Sequence, residues 1–278
     1  MSSSSDTAMG PSIETPLRAW FRGVESVAVA LSGGVDSAVV AAVAASELGS
    51  RALAVTGVSE SLAATELEAI ATFCADRQLM HATVTTHEMQ NPDYVANSTE
   101  RCYFCKAELF RAIGAIAVAR GFRTVVDGTH ADDLQGHRPG KRAADENGVR
   151  SPLAEIGATK TAVRALAQVL GIAAADRPAS PCLSSRIAYG VPVTIERLTR
   201  VGRAEALLRS LGFRELRVRL HDSGIARIEV PKSELERAAG LADTLARELR
   251  TLGFTYVTLD LDGLRSGSLL EALRVSSQ

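Results

Sequence analysis

Hydrophobic positions along this chain fall into short apolar runs that alternate with stretches at helical spacing. Residues 26–31, SVAVAL, form an unbroken apolar run ending in a glycine-rich turn, the pattern of a strand buried on both faces. Residues 38–48 follow as a helix, with Gly49 as its stop. Residues 52–55 read as a second strand. Thr65 and Glu68 form a capping box, and Leu67, Ile70, Ala71 and Cys74 follow at helical spacing. Residues 82–85 predict a third strand, 91–101 a polar loop, 106–120 a helix ended by Gly121, and 124–127 a fourth strand stopped by Gly128. This alternation predicts an α/β fold with a parallel sheet and right-handed crossovers.

The pattern changes further along. Residues 136–157 are rich in Gly, Pro and charge and read as a loop, and 159–170 as another helix. Two prolines make 177–186 irregular. Ile195, Leu198, Val201, Leu208 and Leu211 line a helix that Gly212 ends. Residues 214–220 and 225–230 predict a hairpin across Asp222 to Gly224, followed by a helix at 233–250 and a strand at 255–259. The expected organisation is a disordered Ser-rich tail at 1–15, a larger parallel-sheet domain at 16–190 and a smaller C-terminal α+β domain at 191–278. There is no internal repeat.

Composition narrows the class. Of 278 residues, 46% are hydrophobic and 23% charged, as in a globular protein. No apolar run approaches the roughly 18–20 residues of a membrane span. The N-terminus lacks the basic start and apolar core of a signal peptide, so the expected compartment is the reducing cytoplasm. Its four cysteines are then read as thiols, metal ligands or catalytic groups, not disulfides. A net charge of −1 and 4% aromatic residues argue against a nucleic-acid binder. Charge is uneven, however. Residues 186–220 carry eight arginines against three glutamates. That excess suits either a solvated helix face or a site for a small anionic ligand.

The sharpest local signal is Leu31-Ser-Gly-Gly-Val-Asp-Ser37, between a buried strand and a helix. Glycines let backbone approach an anion, Ser32 and Ser37 supply hydroxyls, and the helix N-terminus supplies free N–H groups. Asp36 beside phosphate calls for a divalent cation between them. No Lys follows the glycines, so this is not a Walker A loop. SGGVDS resembles the PP-loop of the N-type ATP pyrophosphatases, which split ATP between the α and β phosphates and adenylate a substrate.

Cys102 and Cys105 form a CxxC in RCYFCK, and Cys182 stands in a proline-bounded loop. The pair reads as a redox couple, half a zinc site, or part of a three-cysteine set holding a 4Fe–4S cluster with one iron free. Cys74 lies on an apolar helix stripe and reads as core. Asp132 and Asp133, in GTHADDL after a strand end, either hold a metal or cap a helix. RSGSL at 265–269 reads as either an anion site or an ordinary turn.

Taken together, SGGVDS, RCYFCK, GTHADDL with RPG, SPL, PCLSSRIAYG, RVRLHDSGIARIEV and LRSGSL resemble the LarE family over residues 16–271. These are the ATP-dependent sulfur transferases of nickel-pincer cofactor synthesis. The resemblance implies an adenine-nucleotide alpha hydrolase-like domain and ATP activation of the carboxylates of pyridinium-3,5-biscarboxylic acid mononucleotide, followed by conversion to thiocarboxylates. It implies that Ser32, Gly33, Gly34, Asp36 and Ser37 hold ATP phosphates and Mg2+, with Gly128, Thr129 and Asp132 beside the nucleotide. It implies a substrate site of Ser185, Arg186, Arg217, Arg219, Glu229 and Arg265. Cys182 matches the sulfur-bearing cysteine, which members lacking the CxxC sacrifice to dehydroalanine. The presence of Cys102, Cys105 and Cys182 points to the branch that uses a 4Fe–4S cluster with sulfide or another sulfur donor. The family also implies a homo-oligomer.

Two alternatives belong beside this reading. A PP-loop tRNA thiolase predicts an added RNA-binding domain or a basic face, which a net charge of −1 opposes. A non-catalytic adenine-nucleotide sensor with a structural zinc predicts ATP binding without pyrophosphate release.

Overall fold

A computed structural model describes residues 12–62, 64–134, 139–172, 182–265 and 267–275. Most of the expected N-terminal tail, Arg138 of RPG, residues 177–181 of the proline-rich segment and Ser266 lie outside them. In chain order the elements are α1 (Glu14–Arg22), β1 (Val27–Ala30), α2 (Val35–Leu48), β2 (Ala52–Val58), α3 (Ala64–Asp76), β3 (Met80–Thr85), α4 (Pro92–Val95) and α5 (Arg101–Ala119). Then follow β4 (Thr124–Val126), α6 (Pro139–Glu146), α7 (Pro152–Glu155), α8 (Lys160–Val169) and α9 (Ile195–Ser210). The chain closes with β5 (Arg217–Leu220), β6 (Ile225–Glu229), α10 (Leu235–Gly240), α11 (Ala242–Thr251), β7 (Tyr256–Leu259) and α12 (Ser268–Val275). None of the described helices is long and apolar enough to cross a membrane.

These elements form two compact units. The first comprises residues 1–58, 64–86 and 105–180, and the second 59–63, 87–104 and 181–278. The first unit carries a four-stranded parallel sheet in the order β3-β2-β1-β4. The expected α/β class with a parallel sheet is therefore found. Strand β1 is buried along its whole length, as its continuous apolar run requires. Helix α2 is apolar nearly all round and is buried from Val35 to Ala44 apart from Asp36, packing on β1 and β2 and against α1 and α8. It starts three residues before the expected position, so Asp36 and Ser37 occupy its first turn. The segment read as a loop at 136–157 instead contains α6 and α7. Both are short, and Pro opens each of them, a residue favoured in a helix's first turn.

The second unit has a three-stranded sheet, β5-β6-β7. The predicted hairpin is present as antiparallel β5 and β6, with Ser223 and Gly224 taking positive φ at its turn. Strand β7 adds in parallel to β6. Leu198, Val201, Ala204 and Leu208 are the buried stripe of α9, which packs on β5.

Distant segments are joined in this unit by polar groups that water cannot reach. Asn97 is fully buried at φ 57°. Its Nδ2 donates to the carbonyls of Ala188 and Val191 at 2.8 and 2.7 Å, and its own carbonyl accepts from Gly190 N–H at 3.1 Å. Tyr94 and Ser184 share a hydroxyl bond of 2.6 Å. The stretch 92–101 is thus fastened to 184–193. Asn97→Ala should destabilise the protein by about 2–4 kcal/mol, from orphaned carbonyls plus the left-handed backbone. Asn97→Gly should cost roughly 1 kcal/mol less, because it relieves only the backbone component. Urea unfolding of both variants checks the difference.

Candidate functional site

The glycine-rich loop in the first unit is built from backbone and short hydroxyls. Gly33 takes φ +80°, and Gly34 caps α2 in extended conformation. Ser37 is 4% exposed. Its Oγ donates to Gly34 O at 3.0 Å and accepts from Ser32 N–H at 3.2 Å, while the two serine hydroxyls lie 3.2 Å apart. The loop therefore folds over the first turn of α2 and presents its N-terminal N–H groups, the geometry that receives phosphate.

Gly128, at the end of β4, supports this loop from below. A Cβ there would lie 2.5 Å from Ser37 N and 2.9 Å from the Asp36 carbonyl carbon. Only glycine lets the strand end pack this closely on the first turn of α2. Thr129 donates its hydroxyl to Asp127 Oδ2 at 2.6 Å, and Ser151 donates to Asp127 Oδ1 at 2.8 Å. Asp127 is buried and organises this edge of the site, a role its apolar neighbours in sequence gave no sign of. Asp132 Oδ2 accepts from Lys160 N–H at 2.7 Å, so it caps α8, the second of its two expected roles.

Lys160 is a second residue of this unit whose role the sequence did not show. Its Nζ reaches both carboxylate oxygens of Asp36, at 2.7 and 2.5 Å. The expected magnesium ligand is thus held by an ammonium group in this structure. The pair is partly exposed and sits at the mouth of the phosphate loop, so both groups remain available to an incoming charge.

In the second unit, the segment after Cys182 is tied down on three sides. Leu183 N–H donates to Ser61 O at 3.2 Å, Ser185 Oγ to Cys182 O at 2.8 Å, and Arg219 Nη1 to Ser185 O at 2.9 Å. Ser59 and Ser61 rest in turn on buried Glu88, at 2.6 and 3.2 Å. Arg186 and Glu205 form a two-bond buried pair at 2.7 and 3.1 Å. Glu229, fully buried, accepts from Arg219 at 2.9 Å, Arg227 at 3.0 Å and Ser268 at 2.6 Å. Glu205 and Arg227 were not singled out by sequence, because their partners lie on other elements.

This arginine cluster keeps unused donors. Arg219 Nε, Arg227 Nε and His221 Nε2 are buried with no hydrogen-bond partner among the described residues. Arg227 Nε stands 3.6 Å from Asp260 Oδ2, beyond bonding geometry. Burial, then Arg186 and Arg219, pushes the Arg217 guanidinium below its usual value. Burial, then Arg227 and Arg219, does the same to His221. The two buried guanidinium donors left without acceptors, Arg219 Nε and Arg227 Nε, are what an anion would relieve. Arg265 is different. It is gripped by Asp260 at 3.0 Å and Glu271 at 2.6 Å, which leaves its charge matched internally.

Cys102 and Cys182 are exposed, Cys105 is half-buried, and none is in a disulfide. Cys102 and Cys105 lie one turn apart at the start of α5. Arg101, which precedes Cys102, donates to the carbonyl of Ser184, two residues past Cys182, at 2.9 Å. Cys74 is buried, and desolvation pushes its thiol up to about 11, as a core residue. Among the described residues, no three His, Cys, Asp or Glu side chains gather around a single ion position. An iron–sulfur cluster is broader than an ion, and the exposed thiols of Cys102 and Cys182 suit its thiolate ligation.

The chain matches the asparagine synthase family over residues 18–187. It is 38% identical over 259 residues to the pyridinium-3,5-bisthiocarboxylic acid mononucleotide synthase of Lactiplantibacillus plantarum, covering 92% of this chain and 93% of that protein. It is 46% identical over 260 residues to an uncharacterised protein of Synechocystis, covering 92% and 96%. An uncharacterised Methanocaldococcus jannaschii protein is 30% identical over 172 residues, covering 62% and 67%. The chain belongs to the PP-loop class of ATP-using enzymes. Within that class it is a member of the LarE family, to which the resemblance of its motifs pointed.

Gly128→Ala should weaken ATP binding at least about ten-fold, because the added methyl meets backbone that cannot yield. Isothermal titration with ATP checks it. Binding at the wild-type level would show that the strand end does not support the loop.

Proposed function

We propose that the protein is an ATP-dependent sulfur transferase that converts the carboxylates of pyridinium-3,5-biscarboxylic acid mononucleotide to thiocarboxylates. The observation that carries this reading is the join between Cys182 and the arginine cluster. The Ser185 carbonyl, three residues from the exposed thiol, accepts from Arg219, whose Nε is left without an acceptor. A nucleophilic sulfur beside vacant cationic donors suits a substrate that carries phosphate and carboxylates.

In this reading the first turn of α2, with Ser32, Gly33, Gly34 and Ser37, cradles the ATP phosphates. Lys160 is placed to exchange Asp36 for a phosphate oxygen, and Asp36 would then hold Mg2+, which would supply positive charge to offset departing pyrophosphate. Gly128 and Thr129 keep the loop in shape, and Asp132 keeps Lys160 in place through its backbone. A substrate carboxylate oxygen attacks the α-phosphorus and pyrophosphate leaves, which turns a poor leaving group into AMP. A hydrosulfide sulfur then attacks the acyl carbon, AMP departs and the S–H proton is lost, leaving the thiocarboxylate. Arg217, Arg219 and Arg227 hold the substrate anion, with Glu229, Glu205 and Arg186 fixing their positions. Cys102, Cys105 and Cys182 would hold a 4Fe–4S cluster, which supplies a renewable carrier for the sulfur. Without such a carrier, Cys182 itself would be consumed.

Two variants separate the half-reactions. Asp36→Ala should abolish pyrophosphate release in the presence of ATP, magnesium and substrate, whereas Cys182→Ala should keep that release and lose sulfur transfer. Arg217→Ala should raise the substrate KM about 10- to 100-fold, since each lost charge-assisted bond is worth roughly 1.5–3 kcal/mol. Undiminished pyrophosphate release by Asp36→Ala would remove that carboxylate from the mechanism.

A further inference from the structure

Among the described residues of the second unit, three carboxylates are almost completely buried. Two of them face arginines: Glu205 faces Arg186, and Glu229 faces Arg219 and Arg227. Glu88 is held differently. It is 2% exposed, and its Oε1 accepts from two neutral hydroxyls, Ser59 at 2.6 Å and Ser61 at 3.2 Å. Its Oε2 is buried with no hydrogen-bond partner among the described residues. A carboxylate taken out of water is costly, and two hydroxyls offset only part of that cost. The mechanism derived above gives this group no task.

What the carboxylate holds is a turn. The Ser59 and Ser61 hydroxyls lie 2.9 Å apart, and Ser61 N–H donates to Ser59 Oγ at 3.3 Å. Both hydroxyls converge on one oxygen of Glu88, which fixes the direction of the Ser61 carbonyl. That carbonyl accepts at 3.2 Å from the N–H of Leu183, the residue after Cys182. On another side Leu183 is held by packing: a Cβ on Gly202 of α9 would lie 3.3 Å from its Cδ1. Leu183 thus has an apolar seat that does not involve Glu88. Its directional hold, the bond to Ser61, hangs from Glu88.

We infer that Glu88 is a positioning residue for the sulfur step: through Ser59, Ser61 and Leu183 it sets where the Cys182 sulfur sits, and it takes no part in adenylation. This rests on the reading of Cys182 as a residue of sulfur transfer. It adds the side chain that fixes its place.

The test uses the full-length protein, prepared anaerobically, with ATP, magnesium and substrate. First-turnover rates of pyrophosphate release and thiocarboxylate formation are measured on the same samples. Glu88→Ala should keep pyrophosphate release, and the substrate concentration that half-saturates it, within about two-fold of wild type. Its thiocarboxylate formation should slow by roughly ten- to a hundred-fold, the cost of misplacing a reacting group by about 1 Å. Glu88→Gln keeps a carbonyl oxygen for both hydroxyls and should restore the rate to within about three-fold. Ser61→Ala keeps the carbonyl but loses its anchor, and should slow the same step by roughly three- to ten-fold. Wild-type sulfur transfer by Glu88→Ala would overturn the inference. So would equal losses in both steps by a folded Glu88→Ala, or a Glu88→Gln as slow as Glu88→Ala. If Glu88→Ala fails to fold, wild-type sulfur transfer by Ser61→Ala overturns it instead. A wild-type protein that releases pyrophosphate but forms no thiocarboxylate would sink the underlying reading, and the inference with it, a result distinct from all of these.

Discussion

The second unit depends on a buried polar clamp in which Asn97 and Arg101 hold the backbone of 184–191. Segments nearly ninety positions apart in the chain meet there through amide and guanidinium donors aimed at carbonyls. A hydrophobic contact tolerates small displacements. A set of buried hydrogen bonds does not, because each broken one leaves an unsatisfied group. Directional bonding therefore fixes the loop after Cys182 relative to the helix turn bearing Cys102.

The first unit solves a different problem with backbone. Its phosphate loop contains no cationic side chain of its own; affinity for an anion comes from N–H groups at the start of α2 and from hydroxyls. That arrangement needs a turn held rigidly open, and Gly128 packed beneath Ser37 supplies the rigidity. Among the described residues, the cation bonded to Asp36 is Lys160, which comes from 124 residues away. Acid and ammonium together make a neutral, ready pair that can separate when triphosphate and a divalent ion enter.

Legibility in the sequence followed how local each feature is. The phosphate loop was readable because strand, glycines and helix start are contiguous, although α2 begins at Val35 and not three residues later: Gly34 serves as the cap. The hairpin was readable from its alternation and its Asp-Ser-Gly turn. Helices α6 and α7 were hidden by the glycine and charge that surround them. Lys160, Asp127, Glu205, Arg227 and Arg101 were missed for one reason: each acquires meaning only from a partner on another element. Arg265, singled out as part of an anion site, has its charge matched by Asp260 and Glu271, which the linear string could not show.

The central claim is that Cys182 helps hold the carrier of the sulfur and is not itself spent. The most direct measurement is the intact mass of anaerobically reconstituted protein after turnover with ATP, substrate and excess sulfide, together with a count of product sulfur. The account predicts more than one sulfur transferred per chain and an unmodified Cys182. A single sulfur per chain, with dehydroalanine at position 182, would contradict it and leave the adenylation chemistry standing.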